Sequence, residues 1–191
     1  MGRIKLVLDL DNTLINSITF KELVLLPKSF KSSKSSKNDR NDKNNKISHI
    51  DMDKIYRVFS RPYLQKFLDF IFAHFDVSIW TAASKEYASF IMDKIIAPAG
   101  SGRRIEYIFF AYHCKTSKKY LRCTKDLELL WRDLKLVGFS PNNTYIIDDL
   151  PEIYDTMPKH VFQAKYFDVL EEGAEDDRYL LNMIDKLKQL L

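Results

Sequence analysis

The sequence predicts an open, doubly wound α/β fold, in which a mainly parallel sheet is flanked by helices. Three short apolar runs, Ile4 to Leu8, Val77 to Trp80 and Tyr145 to Ile147, each stop at polar residues. Strands buried on both faces read this way, because neither face needs polar alternation. Between the runs lie segments of helical periodicity, and the 191 residues with 46% hydrophobic side chains suffice for one domain with a real core. No internal repeat interrupts this order.

The first run opens the chain, so it forms the first strand. After Pro62, suited to a helix start, Leu64, Phe67, Leu68, Ile71, Phe72 and Phe75 follow i, i+3, i+4, i+7 spacing. The second run is followed by Ser84, a side chain that can cap a helix carrying Tyr87, Ile91 and Ile95. Leu127, Leu130, Trp131 and Leu134 predict a third helix, with Thr124 as its cap, Lys125 at its opening and Gly138 as its stop. Leu180, Ile184, Leu187 and Leu191 predict a last helix at the C-terminus.

The net charge of +4 is concentrated in one place. Residues 28–46 carry seven basic side chains against two acidic ones, a net +5, so the rest of the chain carries −1. With Phe30 almost its only apolar side chain, this segment cannot bury enough surface to offset the entropy of ordering. It is expected to be a disordered basic insertion within a single domain spanning 1–191. A solvated loop is one reading; a basic arm whose field attracts an acidic or phosphorylated substrate is the other. Stacking aromatics are nearly absent there, which argues against nucleic acid. No stretch reaches the roughly 20 apolar residues of a membrane span, and no signal peptide precedes the first strand. The expectation is a soluble intracellular protein, nuclear or cytoplasmic, and monomeric. Cys114 and Cys123 are too few for a disulfide framework, and with His113 their spacing matches no common zinc site.

In such folds, sites form at the carboxyl ends of the strands. There the sequence places Asp9 and Asp11 after the first run, Thr81 after the second, and Asp148 and Asp149 after the third. Singly, an Asp-x-Asp is as readily a turn or a cap. Together they form a set suited to phosphoryl transfer: a nucleophile, an acid, and groups that hold phosphoryl oxygens. Carboxylates alone repel phosphate. A hard cation such as Mg²⁺ resolves this, with Asp9, Asp148, Asp149 and the Asp11 carbonyl as candidate ligands.

Leu8-Asp9-Leu10-Asp11-Asn12-Thr13-Leu14-Ile15 resembles the first motif of the haloacid-dehalogenase superfamily of phosphatases. Arg61-Pro62-Tyr63-Leu64, Trp80-Thr81-Ala82, Thr124-Lys125-Asp126-Leu127 and Ile147-Asp148-Asp149-Leu150-Pro151 together resemble the RNA polymerase II C-terminal-domain phosphatases, the NLI-interacting-factor-like group. The resemblance implies Asp9 as the nucleophile that becomes an aspartyl-phosphate, and Asp11 as the acid that protonates the leaving oxygen and then activates water. It implies Thr81, Lys125 and Asn12 on the phosphoryl oxygens, Mg²⁺ at Asp9, Asp149 and Asp11, and Asp148 in support. It also implies a site without a large cap domain, open to a phosphorylated protein or peptide. Where many relatives carry an arginine, this chain has Ala111, followed by Tyr112 and His113.

Overall fold

The computed structural model of the protein describes residues 2–26 and 47–191. The basic insertion expected at 28–46 lies outside the described residues. Five parallel strands form the central sheet, in the order β6-β5-β1-β7-β8: β1 (Lys5–Leu8), β5 (Asp76–Trp80), β6 (Ile105–Phe109), β7 (Thr144–Asp148) and β8 (Val161–Gln163). The strand β1 sits between β5 and β7, with Leu8 paired to both Ile79 and Ile147. Its apolar run is explained by the packing: Leu6 and Leu8 enter one core cluster and Val7 enters another on the opposite face. The sheet is covered on both sides, as the uninterrupted runs predict.

The first cluster is filled by α2 (Leu64–His74), α3 (Lys85–Ile91) and α6 (Tyr179–Leu187). Leu64, Phe67, Leu68 and Ile71 are the buried stripe of α2, and Phe75 closes it as a buried C-cap. Pro62 precedes that helix, and Tyr63 turns into it with φ 64°. Ser84 caps α3 as expected, accepting the Tyr87 N–H at 3.3 Å. The second cluster lies under α4 (Ala111–Tyr120), α5 (Pro151–Thr156) and the Leu127–Leu130 segment.

Two features correct the sequence reading. The third helix is only a five-residue π-type turn, Leu129–Asp133, and Lys125 precedes it on a turn instead of opening it. Thr124 does not cap it; its hydroxyl donates to the Glu152 carboxylate. The chain between β1 and α2 also holds a small sheet that the sequence reading did not describe. Here β2 (Ile15–Thr19), β3 (His49–Met52) and β4 (Tyr56–Ser60) form a small antiparallel sheet in the order β2-β4-β3, with α1 (Phe20–Leu25) attached. Among the described residues this small sheet, far short of a domain, is what stands at the first cap position.

Candidate active site

The register places the candidate residues together. β1, β5 and β7 end level with one another, so Asp9, Thr81 and the Asp148-Asp149 pair leave the sheet at the same edge. The Asp9 N–H donates to the Ile147 carbonyl at 3.0 Å, which continues the ladder one residue past β1. Beyond it the chain folds on the Leu10 carbonyl, which accepts the N–H groups of Leu14 at 2.8 Å and Ile15 at 3.1 Å. Asn12 sits inside this turn with φ 59°, a left-handed conformation that asparagine tolerates better than most residues. The tight turn is what brings Asp9 and Asp11 to one crevice.

Lys125 is buried at the floor and lies between two carboxylates, with Nζ 2.6 Å from Asp9 Oδ1 and 2.7 Å from Asp148 Oδ2. Burial alone would lower its pKa, but the charges of Asp9 and Asp148 more than reverse that, so the ammonium stays protonated. Asp148 uses its other oxygen to accept the Leu150 N–H at 3.0 Å. Its burial and the neighbouring Asp9 carboxylate raise its pKa against the opposing pull of Lys125. Asp149 is raised by burial and by Asp9, opposed by the Thr13 hydroxyl that donates to it at 3.1 Å.

Asp9, Asp148 and Asp149 each offer a carboxylate oxygen, and the three lie within 4.8 Å of one another. Three carboxylates stand around one ammonium, which is bonded to Asp9 and Asp148, and burial together with the Asp9 charge raises the pKa of Asp148 and Asp149. A hard divalent cation with oxygen ligands fits this donor set. Among the described residues no other group of three ligand side chains is found, so His113, Cys114 and Cys123 form no such cluster. Both cysteines are free and buried.

Thr81 is buried beside this floor, and its Oγ1 accepts the Ala83 N–H at 3.0 Å, which leaves its own proton for an incoming oxygen. The Asn12 side-chain amide donates to the Phe167 carbonyl at 3.1 Å, and the Asn12 backbone carbonyl accepts the Phe167 N–H at 2.7 Å. It ties the Asp9 turn to the segment after β8.

Two partners escape a sequence reading. Tyr87, recognisable only as a core position of α3, donates its hydroxyl to Asp11 Oδ1 at 2.6 Å. Ser17 on β2 lies 2.5 Å from the same phenol oxygen, and since that phenol gives its proton to Asp11, the Ser17 hydroxyl is the donor. Burial raises the Asp11 carboxyl to about 6, with Asp9 adding to the rise and Tyr87 opposing it. Arg61 is the second. Its buried guanidinium donates to the Thr13 carbonyl at 2.9 Å, the Lys165 carbonyl at 2.8 Å and Asp177 at 2.8 Å. It therefore ties the turn after Asp9 to the Lys165 and Asp177 segments, contacts that the Arg61-Pro62-Tyr63-Leu64 motif did not reveal.

Next to Asp11 a cavity of about 560 Å³ opens, lined chiefly by Ser17, Met52, Ile55, Tyr56, Ala83 and Tyr87. It is more apolar than the carboxylate floor. The small antiparallel sheet supplies one wall and α3 the other.

The sequence pattern of the NLI interacting factor-like phosphatases matches residues 4–191. A CTD phosphatase-like protein of Invertebrate iridescent virus 6, 355R, is 40% identical over 190 residues, covering 96% of this chain and 97% of its own. Its counterpart in Invertebrate iridescent virus 3 is 34% identical over 186 residues, covering 93% and 91%. In structure, the chain superposes on the fission yeast RNA polymerase II CTD phosphatase Fcp1 with a TM-score of 0.54 at 19% identity, over 99% of this chain. It spans about half of that structure, 50%, so the likeness there is one of fold.

Proposed function

The chain belongs to the NLI interacting factor-like phosphatases, and on that premise we propose that it is a Mg²⁺-dependent protein serine/threonine phosphatase working through an aspartyl-phosphate at Asp9. The observation that carries the reading is the Asp9–Lys125 contact of 2.6 Å. It holds one carboxylate oxygen in place and leaves Oδ2 as the attacking atom. A buried ammonium beside it stabilises negative charge that develops on the phosphoryl oxygens.

In the first step Asp9 Oδ2 attacks phosphorus and the serine or threonine oxygen departs. Asp11 gives that oxygen its proton, and a carboxyl raised to about 6 retains the proton further towards neutral pH than an ordinary aspartate. The Thr81 hydroxyl and Lys125 Nζ hold the phosphoryl oxygens. In the second step the Asp11 carboxylate takes a proton from water, the water oxygen attacks phosphorus, and the Asp9 carboxylate is released with inorganic phosphate. Asp9, Asp149 and the Asp11 carbonyl would hold the Mg²⁺, with Asp148 in support, and the bound ion supplies positive charge to the phosphoryl oxygens. Asn12 shapes the turn through Phe167.

What surrounds the floor supports a peptide substrate. A cavity of about 560 Å³ beside Asp11 can take an apolar side chain next to the phosphorylated residue, which a small metabolite lacks. A flexible phosphopeptide is the ligand this fits, and a repetitive tail such as the C-terminal domain of RNA polymerase II is one source. The test compares phosphopeptide and aryl phosphate with and without Mg²⁺. Turnover abolished by chelation and by Asp9→Asn supports the reading; turnover that survives either one refutes it. A preference for a small phosphorylated metabolite over every phosphopeptide would move the assignment to a metabolite phosphatase.

A further inference from the structure

Helix α4 flanks the phosphate-holding side of the site at two points. Its first residue, Ala111, donates its N–H to the Ala83 carbonyl at 3.0 Å, two residues beyond Thr81. In its middle the Ser117 hydroxyl accepts the Asp126 N–H at 2.9 Å and donates to the Cys123 carbonyl at 2.7 Å, which brackets Lys125. Cys114 lies 3.6 Å from the Thr81 carbonyl, and it and Ser117 are the buried residues of the helix. The inward face of α4 is therefore packed on the two segments that carry Thr81 and Lys125.

The outward face is a row of lysines. Lys115, Lys118 and Lys119 are all exposed, with Arg122 just past the helix end at the i+7 position. Between Tyr107 and Lys125 the chain contains no acidic residue. Arg122 is turned to Asp126 and Glu128. Lys119 lies 4.9 Å from the Tyr120 ring centroid, and among the described residues none of the three lysines forms an ion pair with a carboxylate. Unpaired positive charge thus lies on a helix whose other face is packed against the segments that carry Thr81 and Lys125.

We propose that the Lys115/Lys118/Lys119 face of α4 docks an acidic stretch, a run of Asp and Glu, of the same polypeptide whose phosphorylated residue occupies the Asp9 site. The proposal rests on the phosphatase reading above and adds to it a choice among substrates. Lysine ammoniums are separate point charges without the planar fork that grips one phosphate, and a spaced row of them matches spaced carboxylates. The lysines lie about 6 to 12 Å along the axis from the helix start. An extended peptide covers that distance in about two to four residues. The acidic positions accordingly begin at least that far from the phosphoserine or phosphothreonine. Acidic residues directly adjacent to it would face Asp11 and Asp149 instead and be disfavoured.

The test uses one phosphoserine peptide in four forms: neutral flanks, acidic residues three to six positions before or after the phosphoserine, and acidic residues immediately beside it. Wild type and the charge-reversed variant K115E/K118E/K119E are compared on each, with K115Q/K118Q/K119Q as a second variant should reversal impair folding. One distal acidic peptide is expected to exceed the neutral one in kcat/KM by about 10-fold at low salt, and to lose the advantage as salt rises. Either lysine variant should erase that ratio and leave aryl phosphate hydrolysis unchanged. An unaltered ratio in both variants overturns the proposal. So does loss of affinity for a labelled RNA in the variants with no change in the peptide ratio, which would make the face a nucleic-acid surface. Absence of any aryl phosphate hydrolysis by wild type would refute the phosphatase reading instead. The docking face is then read from anisotropy of the unphosphorylated acidic peptide, where equal affinity of wild type and variants overturns it and weaker binding by the variants supports it.

Discussion

Replacing Tyr87 by Phe removes one hydroxyl and keeps the ring that meets Tyr56 edge-on at 5.6 Å. Two bonds are lost, the 2.6 Å donation to Asp11 Oδ1 and the one the phenol accepts from Ser17, and the first is the one that acts on Asp11 directly. Hydrogen bonds to charged groups contribute about 1.5–3 kcal/mol, and 1.36 kcal/mol corresponds to one pKa unit, so the Asp11 pKa should move by about 1–2 units. The sign follows from which form the bond favours. Burial and the Asp11 charge hold the Tyr87 phenol protonated far above its ordinary range, so it donates at every working pH and stabilises the Asp11 carboxylate. Without it the Asp11 carboxyl, already raised to about 6, rises further. In the proposed mechanism formation of the aspartyl-phosphate needs protonated Asp11, so kcat/KM should fall as pH rises through that pKa. The alkaline limb of the pH profile should therefore shift upward in Tyr87→Phe. Aryl phosphate at subsaturating concentration and saturating Mg²⁺ gives the profile. A bound cation lowers the limb in both proteins and leaves the sign of the difference unchanged. A limb that stays in place or moves down would refute the role of Tyr87 and the assignment of Asp11 as the acid.

The other expectations concern the same small set of residues. Asp11→Asn should retain phosphate binding while turnover falls by at least about 10²-fold, read by product inhibition and by steady-state rates. Arg61→Ala leaves Asp177 Oδ2, the buried Thr13 carbonyl and the Lys165 carbonyl without the Arg61 donor, and a denaturant titration should show a loss of about 3–5 kcal/mol; a loss below about 1 kcal/mol, the scale of an exposed pair, would mean that Arg61 braces nothing. Lys125→Met removes the ammonium that opposes the rise of Asp148 and Asp149, so those folded-state pKa values, already raised, rise further. The native state then binds more protons than the unfolded chain between the unfolded carboxylate range and those raised values. Stability of the variant should consequently increase as pH is lowered from neutral through that window, more steeply than in wild type.

Much of the site was legible because parallel strands buried on both faces write themselves as unbroken apolar runs, and each run ends where the chemistry begins. Asp9, Thr81 and Asp148 could thus be placed at one edge from sequence order and strand ends. The small antiparallel sheet was not legible: β2 (INSIT), β3 (HIDM) and β4 (YRVFS) are short, mix polar and apolar residues, and pair across the basic insertion. Of the Leu127, Leu130, Trp131 and Leu134 stripe, the first three pack on the core and Leu134 is exposed. The stripe overstated the helix, because periodicity reports a buried face and not the number of backbone turns, and Lys125 is drawn to Asp9 and Asp148 before the turn begins. Tyr87 and Arg61 show the same limit. A tyrosine on a helix stripe reads as core, and its second use, the bond to Asp11, is fixed only by β2 and the catalytic turn arriving opposite it.

Trapping the phosphorylated enzyme tests Asp9 most directly. Wild type is mixed with phosphopeptide and Mg²⁺, quenched in acid during turnover, reduced with borohydride and mapped by mass spectrometry. The prediction is an acyl phosphate on Asp9, whose side-chain carbonyl carbon borohydride reduces to give homoserine with release of phosphate, at Asp9 alone and absent after chelation or in Asp9→Asn. Steady turnover with no adduct at Asp9, or an adduct on another residue, would contradict it.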